Sequence, residues 1–237
     1  MLISPILTGH QPEFMPWLGY LSKAKMGDVY YMLDHIQFVK EVFQNRNKIR
    51  IKNKPGWQWL NVPIKNAKKI QIWHDVKIDN SQPWKRKHLN AIKMSYSKAP
   101  YFNEIFPEIE QLYMGFKGDK LIDFVKIIVK YAFKKFNITT PIKYTSKIKG
   151  IKGKKSDLII SMCESCNAKT FIFGKFGNTY IEWDKFLNVK PVFQNFNHPI
   201  YSQIHGEFIP NMSFIDLLFN HGDNSKNILT QSTYNYE

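Results

Sequence analysis

The first thirty-three residues carry the pattern that most restricts the fold. Leu2 to Thr8 is a short apolar run ending at Gly9-His10-Gln11-Pro12, which reads as a strand feeding a loop. Pro16 stands where a helix can start, since its missing N–H costs nothing in the first turn. Trp17, Leu18, Leu21, Ala24 and Lys25 follow at helical spacing. Gly27-Asp28 closes the helix, and Val29-Tyr30-Tyr31-Met32-Leu33 reads as a second buried strand. Strand, loop, helix and strand in this order form a βαβ unit, which requires a parallel pair and a right-handed crossover. Ligands of parallel sheets bind beyond the carboxyl ends of the strands, so Gly9–Met15 and Asp34–Phe38 are the first places to look.

The rest of the chain extends this beginning into an α/β fold. The expected architecture is a mostly parallel sheet starting with the βαβ unit, with a helical insertion and a β-hairpin. Phe43 to Pro63 reads as the hairpin, turning at Pro55-Gly56. Ile70 to Ile78 is read as a further strand. Helices are expected over Trp84–Ser97, Tyr101–Met114 and Leu121–Phe136, the last with an apolar stripe of Leu121, Phe124, Val125, Ile128, Val129, Ala132 and Phe133. Pro141–Ile148, Thr170–Phe173 and Pro191–Phe196 read as strands, Tyr180–Leu187 as a short segment, and Leu158–Cys166 as a helix capped by Ser156 or Asp157. Asp216–Phe219 is expected to be a last helix. The expected organisation is one α/β domain over residues 1–222, with the helical insertion at about 84–136, followed by a polar tail over 223–237.

Charge is the other conspicuous property. The chain has 237 residues, 34 Lys and Arg against 19 Asp and Glu, and a formal charge of +15. With 43% hydrophobic residues it is too apolar for disorder. Two cysteines exclude a disulfide scaffold, and no stretch approaches the length of an apolar membrane span. With no signal-peptide pattern at the start, a cytoplasmic setting is the expectation. Only Arg46, Arg50 and Arg86 are arginines, and the lysines are spread along the chain, six of them within Lys143–Lys155. Base readout and bidentate phosphate binding favour Arg, so the charge suits an anionic small molecule better than a nucleic acid. The three Arg are each expected to have specific partners.

Three polar concentrations are candidate sites. In the first, His10 and Gln11 are stiffened by Pro12 and Pro16, with Trp17 and Tyr20 following. A helix start beside them suits an anion, and His10 titrates in the range of a general base. Glu13 reads as solvated. The second is Asp34 with Gln37, then Gln44, Asn45, Arg46 and Asn47, where Arg46 near Asp34 would clamp a phosphate or carboxylate. The third is His198-Pro199 with Tyr201, Gln203 and Asp216, in which Asp216 either orients His198 as a base or only caps a helix. Gly174-Lys175-Phe176-Gly177-Asn178 after a strand is a weaker phosphate cradle. Gly150 to Ser156 does not have Walker spacing, and Cys163/Cys166 lack a second pair, so neither a nucleotide loop nor a metal or cofactor is expected.

These residues make the chain resemble the WbqC-like protein family. The resemblance is carried by His10-Gln11-Pro12 with Pro16-Trp17-Leu18-Gly19-Tyr20, by Asp34 with Gln37-Phe38, and by Gln44-Asn45-Arg46-Asn47. It continues through Gly56–Leu60, Val62-Pro63, Lys155–Ile159, Gly174 with Tyr180, His198-Pro199 with Tyr201 and Gln203, and Ser213 with Asp216–Asn220. What it implies is a role in surface-polysaccharide synthesis of the O-antigen type, with transfer of an acyl or aminoacyl group to a nucleotide-linked amino sugar. His10, His198 and Asp34 are then the catalytic candidates. Gln11, Trp17, Tyr20, Gln37, Gln44, Asn45, Arg46, Asn47, Tyr201, Gln203 and Asp216 are the substrate-binding ones. The expected partners are a nucleotide-linked sugar or other anionic small molecule and an acyl donor. The alternatives are a nucleic-acid-binding or charged-tRNA-dependent transferase, and a non-catalytic scaffold of the polysaccharide machinery.

Overall fold

The computed structural model describes residues 2–67, 69–179, 181–231 and 234–236. Its opening is the expected βαβ unit: β1 (Ile6–His10), α1 (Leu18–Lys25) and β2 (Val29–Met32), with β1 and β2 parallel. The first strand starts four residues later than the apolar run and reaches His10, so His10 is the last residue of β1. An antiparallel hairpin follows, β3 (Arg46–Arg50) and β4 (Trp57–Asn61), as its own two-stranded sheet. The insertion is three helices, α2 (Trp84–Tyr96), α3 (Phe102–Gly115) and α4 (Leu121–Lys135). The apolar stripe of α4 is fully or almost fully buried, each side chain other than Ala132 contributing about 1.5–3 kcal/mol relative to exposure.

The second half adds β5 (Ile142–Tyr144), α5 (Lys155–Glu164), β6 (Thr170–Phe173) and β7 (Lys190–Phe196), all strands parallel to their neighbours. The main sheet runs β5-β2-β1-β6-β7 and is extended by antiparallel β8 (Tyr234–Tyr236). Both of its faces are covered. Leu7, Val29, Tyr31, Leu33 and Phe171 pack under α5, while Tyr30 and Met32 join the larger core with the helical insertion, α1 and α6 (Phe214–His221). Alternate residues of one strand thus enter two cores, which explains why the strands read as continuous apolar runs.

The departures from expectation have local causes. Residues 70–78 form a 3-10 turn at Trp73–Asp75, with isolated bridges from Ile72 to Gln37 and from Ile78 to Ile64, in place of a strand. Buried Trp73, Val76 and Ile78 account for the apolar signal. α5 begins at Lys155, earlier than expected, because neither proposed cap acts as one: Ser156 accepts a hydrogen bond from the Glu182 N–H and Asp157 pairs with Lys185. The segment beyond Gly222 is not a loose tail. It forms α7 (Ser225–Gln231), with Leu229 fully buried, before β8 pairs with β7. Tyr180 lies outside the described residues. Among the described residues no helix is long and apolar enough to cross a membrane.

Candidate functional site

Strand order locates the site. From β1 the chain moves to β2 and β5 on one side, then returns to β6 and β7 on the other. The connections therefore diverge between β1 and β6, opening a crevice at the carboxyl ends of those strands. A cavity of about 410 Å³ lies there. Gly9, His10 and Gln11 line it from the end of β1, Trp17, Gly19, Tyr20 and Lys23 from α1, Gly174 to Gly177 from the turn after β6, and Gln194 and Phe196 from β7.

The loop between β1 and α1 is held from the hairpin side. Phe14 N–H donates to the carbonyls of Phe43 and Gln44 at 3.1 and 3.2 Å. The Asn47 amide donates to the Phe14 and Met15 carbonyls at 3.3 and 2.5 Å, fixing Met15 in the left-handed region at φ 47°. Gln44 donates to the Gln11 side chain while accepting the Val39 N–H. At the helix start, Gly19 is required because a Cβ there would come within 2.2 Å of the Trp17 indole. With that space left open, the ring lies over Gly19 and meets Phe196 edge-on at 5.4 Å on the cavity wall.

His10 has the geometry of a base. Its Nδ1 lies 2.9 Å from the Gln11 carbonyl, and a carbonyl only accepts, so Nδ1 carries the proton and Nε2 the lone pair. Nε2 has no hydrogen-bond partner among the described residues, and the side chain is 35% exposed toward the cavity. Burial, with the Lys23 charge adding to it, pushes the imidazole down to about 3, so it is neutral at neutral pH. Its ring meets Tyr20 edge-on at 5.1 Å. Glu13 is almost fully buried, contrary to expectation, with Oε1 at 3.6 Å from Nδ1 and Oε2 unpartnered. Burial raises its carboxyl to about 8, against the opposing pull of Lys23.

A family model described as the WbqC-like protein family matches residues 11–228. The chain belongs to the WbqC-like protein family. It is also 26% identical over 216 residues to uncharacterized protein Rv1507c of Mycobacterium tuberculosis (strain ATCC 25618 / H37Rv), a stretch covering 90% of this chain and 92% of that protein. No solved structure matches.

Other site candidates in this WbqC-like chain fall elsewhere. Asp34 ends up binding its own neighbourhood. It accepts from the N–H and hydroxyl of Ser146, both at 2.8 Å, and pairs with Lys126 at 3.4 Å, tying β2 to the turn after β5. Arg46 does not join it: its guanidinium donates to the Glu41 carbonyl and lies 4.2 Å over Trp59. Gln44, Asn45 and Asn47 are buried scaffold amides, Asn45 donating to Asn61 and to the Val62 carbonyl. Gln37 is exposed at the bridge to Ile72.

His198 and Asp216 do not form a base and its orienter. His198 donates from Nδ1 to the Pro199 carbonyl at 2.9 Å and accepts the Asn211 N–H at Nε2. Asp216, fully buried at the start of α6, accepts from Tyr96, Tyr201 and Gln203 at 2.7–2.8 Å. Tyr201 and Gln203 are thereby committed to structure. The buried arginine is Arg50, donating to the carbonyls of Gly56, His205 and Glu207.

The structure thus brings together His10, Gln11, Trp17, Tyr20 and the Gly174–Gly177 turn. Sequence reasoning missed Lys23. Its signal was a lysine three residues after Tyr20, on a short helix whose residues from Leu18 to Ala24 are all buried.

Proposed function

We propose that this WbqC-like chain is a transferase in surface-polysaccharide synthesis, passing an acyl or aminoacyl group to the amine of a nucleotide-linked sugar. The observation that carries the reading is the open Nε2 of His10 at the mouth of the β1/β6 crevice. As the amine nitrogen forms its bond to the acyl carbon, Nε2 takes the N–H proton. The donor's leaving group then departs with the electron pair of the broken bond and takes that proton back. Trp17 and Phe196 offer ring faces and edges for the sugar or base, and Gln11 offers an amide already oriented by Gln44. Holding the acceptor amine beside Nε2 in this cavity would add proximity to proton transfer.

The experiment is to incubate the chain with nucleotide-linked amino sugars and activated acyl donors, and to follow N-acylation by mass spectrometry beside His10→Ala. Acylation by the parent and its loss in the variant is the expected result. Equal acylation by both removes His10 as the base.

A further inference from the structure

The cavity contains a charge that proton transfer at His10 leaves without a task. Lys23 is 4% exposed and lines the cavity from the last turn of α1. Gly19 and Tyr20, four and three residues earlier, line it as well, so the three form one stripe of the helix. Long helical side chains lean toward the N-terminus of their helix, which carries this ammonium back toward the open end.

Among the described residues the Lys23 ammonium makes no hydrogen bond and no close ion pair. Among the described residues the group of opposite sign that bears on it is Glu13. Burial lowers it to about 8, which leaves it mostly protonated at neutral pH. The side chain is mostly buried, yet its unpartnered Nζ is not fully enclosed, so the ammonium opens on the cavity where an oxyanion can reach it. Glu13 leaves this charge uncompensated at neutral pH, because its own carboxyl, raised by burial, holds its proton there. Lys175, on the opposite rim, is exposed and has water for a partner.

We propose that Lys23 is the anion receptor of the cavity, its ammonium taking a phosphate oxygen of the ligand. This rests on the reading of the cavity as the ligand site, and it assigns the phosphate to Lys23 in place of Arg46. Phosphate oxyanions fit because they present several strong acceptors to a point-like ammonium with three donors.

The test uses the whole chain with inorganic pyrophosphate, a nucleoside diphosphate and, as a carboxylate control, acetate. Binding is measured by calorimetry and thermal melting for the parent, Lys23→Met and, as a control outside the cavity, Lys130→Met on the exposed side of α4. Pyrophosphate and the nucleoside diphosphate are expected to bind the parent and raise its melting temperature. Lys23→Met is expected to lose at least about tenfold in affinity and Lys130→Met less than about threefold, with acetate ineffective throughout. Without ligand, Lys23→Met is expected to melt at or above the parent, because an uncompensated buried charge is gone. Affinity unchanged in Lys23→Met, equal losses in the two variants, or binding of acetate alone each overturns the proposal.

If Lys23→Met does not fold, amine acetylation of the parent decides. Pyrophosphate must protect Lys23 from modification, as read by peptide mass spectrometry, and absence of protection overturns the proposal. The two readings fail separately. Undiminished transfer by His10→Ala with Lys23-dependent pyrophosphate binding removes only the base. His10-dependent transfer with Lys23-independent binding removes only the receptor.

Discussion

His10 and His198 share one local geometry and end in different environments. Each stands at or just beyond a strand end beside a proline, and each donates Nδ1–H to the carbonyl of the next residue at 2.9 Å. The difference is at Nε2. In His10 it faces a cavity, whereas in His198 it accepts the N–H of Asn211, a residue at φ 61° whose backbone turns to deliver it. Around His198, Tyr201 and Phe208 pack on the ring, and the Tyr201 hydroxyl separately donates to Asp216. One histidine keeps a reactive lone pair and the other has its lone pair occupied. A local motif sets tautomer, and the partner brought to the second nitrogen decides whether the ring is available for chemistry.

The largest expected effect separates the two directly. His10→Ala should lower acyl transfer by about 10²–10⁴-fold, the usual worth of a positioned general base, with little change in melting. His198→Ala should lower the melting temperature and leave transfer within about tenfold when assayed below that temperature. The reverse pattern in a transfer assay and a melting curve would break the comparison. The neighbourhood of His198 should behave as a structural hub: Asp216→Ala strands two tyrosine hydroxyls and an amide, and should cost about 3–5 kcal/mol in a urea titration. A cost below about 1 kcal/mol would mean those donors find water.

A smaller effect tests the other corner. Gly19→Ala puts a Cβ against the Trp17 ring, which must swing, and should cost about 1–3 kcal/mol while weakening ligand binding at the His10 cavity. Equal ligand affinity in that variant would show that Trp17 is not part of the recognition surface.

The smallest effect is in the pH dependence of stability. Burial depresses His10, so the native state binds fewer protons than the unfolded chain between about 3 and 6.5, and stability rises with pH there. Glu13 is raised, so the native state holds a proton that the unfolded chain releases between 4.5 and about 8, and stability falls with pH there. The two slopes oppose each other between 4.5 and 6.5. His10→Asn should expose the falling slope and Glu13→Gln the rising one, as read from urea midpoints across that range. His198 is also depressed by burial, and His198→Asn should remove a rising slope, leaving the falling one from buried Asp216, whose carboxyl is raised at the same corner. Identical pH profiles for all three variants would sink the assignment.

The first unit and the helical insertion were legible because their signals are short-range. Apolar runs bounded by Gly, Pro and His mark β1 and β2, and the stripe of α4 repeats at helical spacing within one segment. The strand expected at residues 70–78 failed because buried Trp73, Val76 and Ile78 satisfy an apolar pattern with or without ladder pairing. Roles at the site were harder. Asp34 looked catalytic until Ser146 and Lys126, over ninety residues away, filled its oxygens. Gln44, Asn45 and Asn47 looked like ligand amides, and the loop backbone they face made them scaffold. Arg46 and Arg50 lie on the same strand, and only the packing of the 205–209 segment buries one of them.

The sequence by itself determined the βαβ start, the mostly parallel sheet and the loop at the end of β1 as the place to look, because backbone propensity and apolar period are written in neighbouring residues. Tertiary structure alone decided which polar side chains remained free. A hydrogen bond is assigned when segments distant in sequence meet, and that meeting closed His198, occupied Asp34 and Asp216, and left His10 and Lys23 facing the cavity.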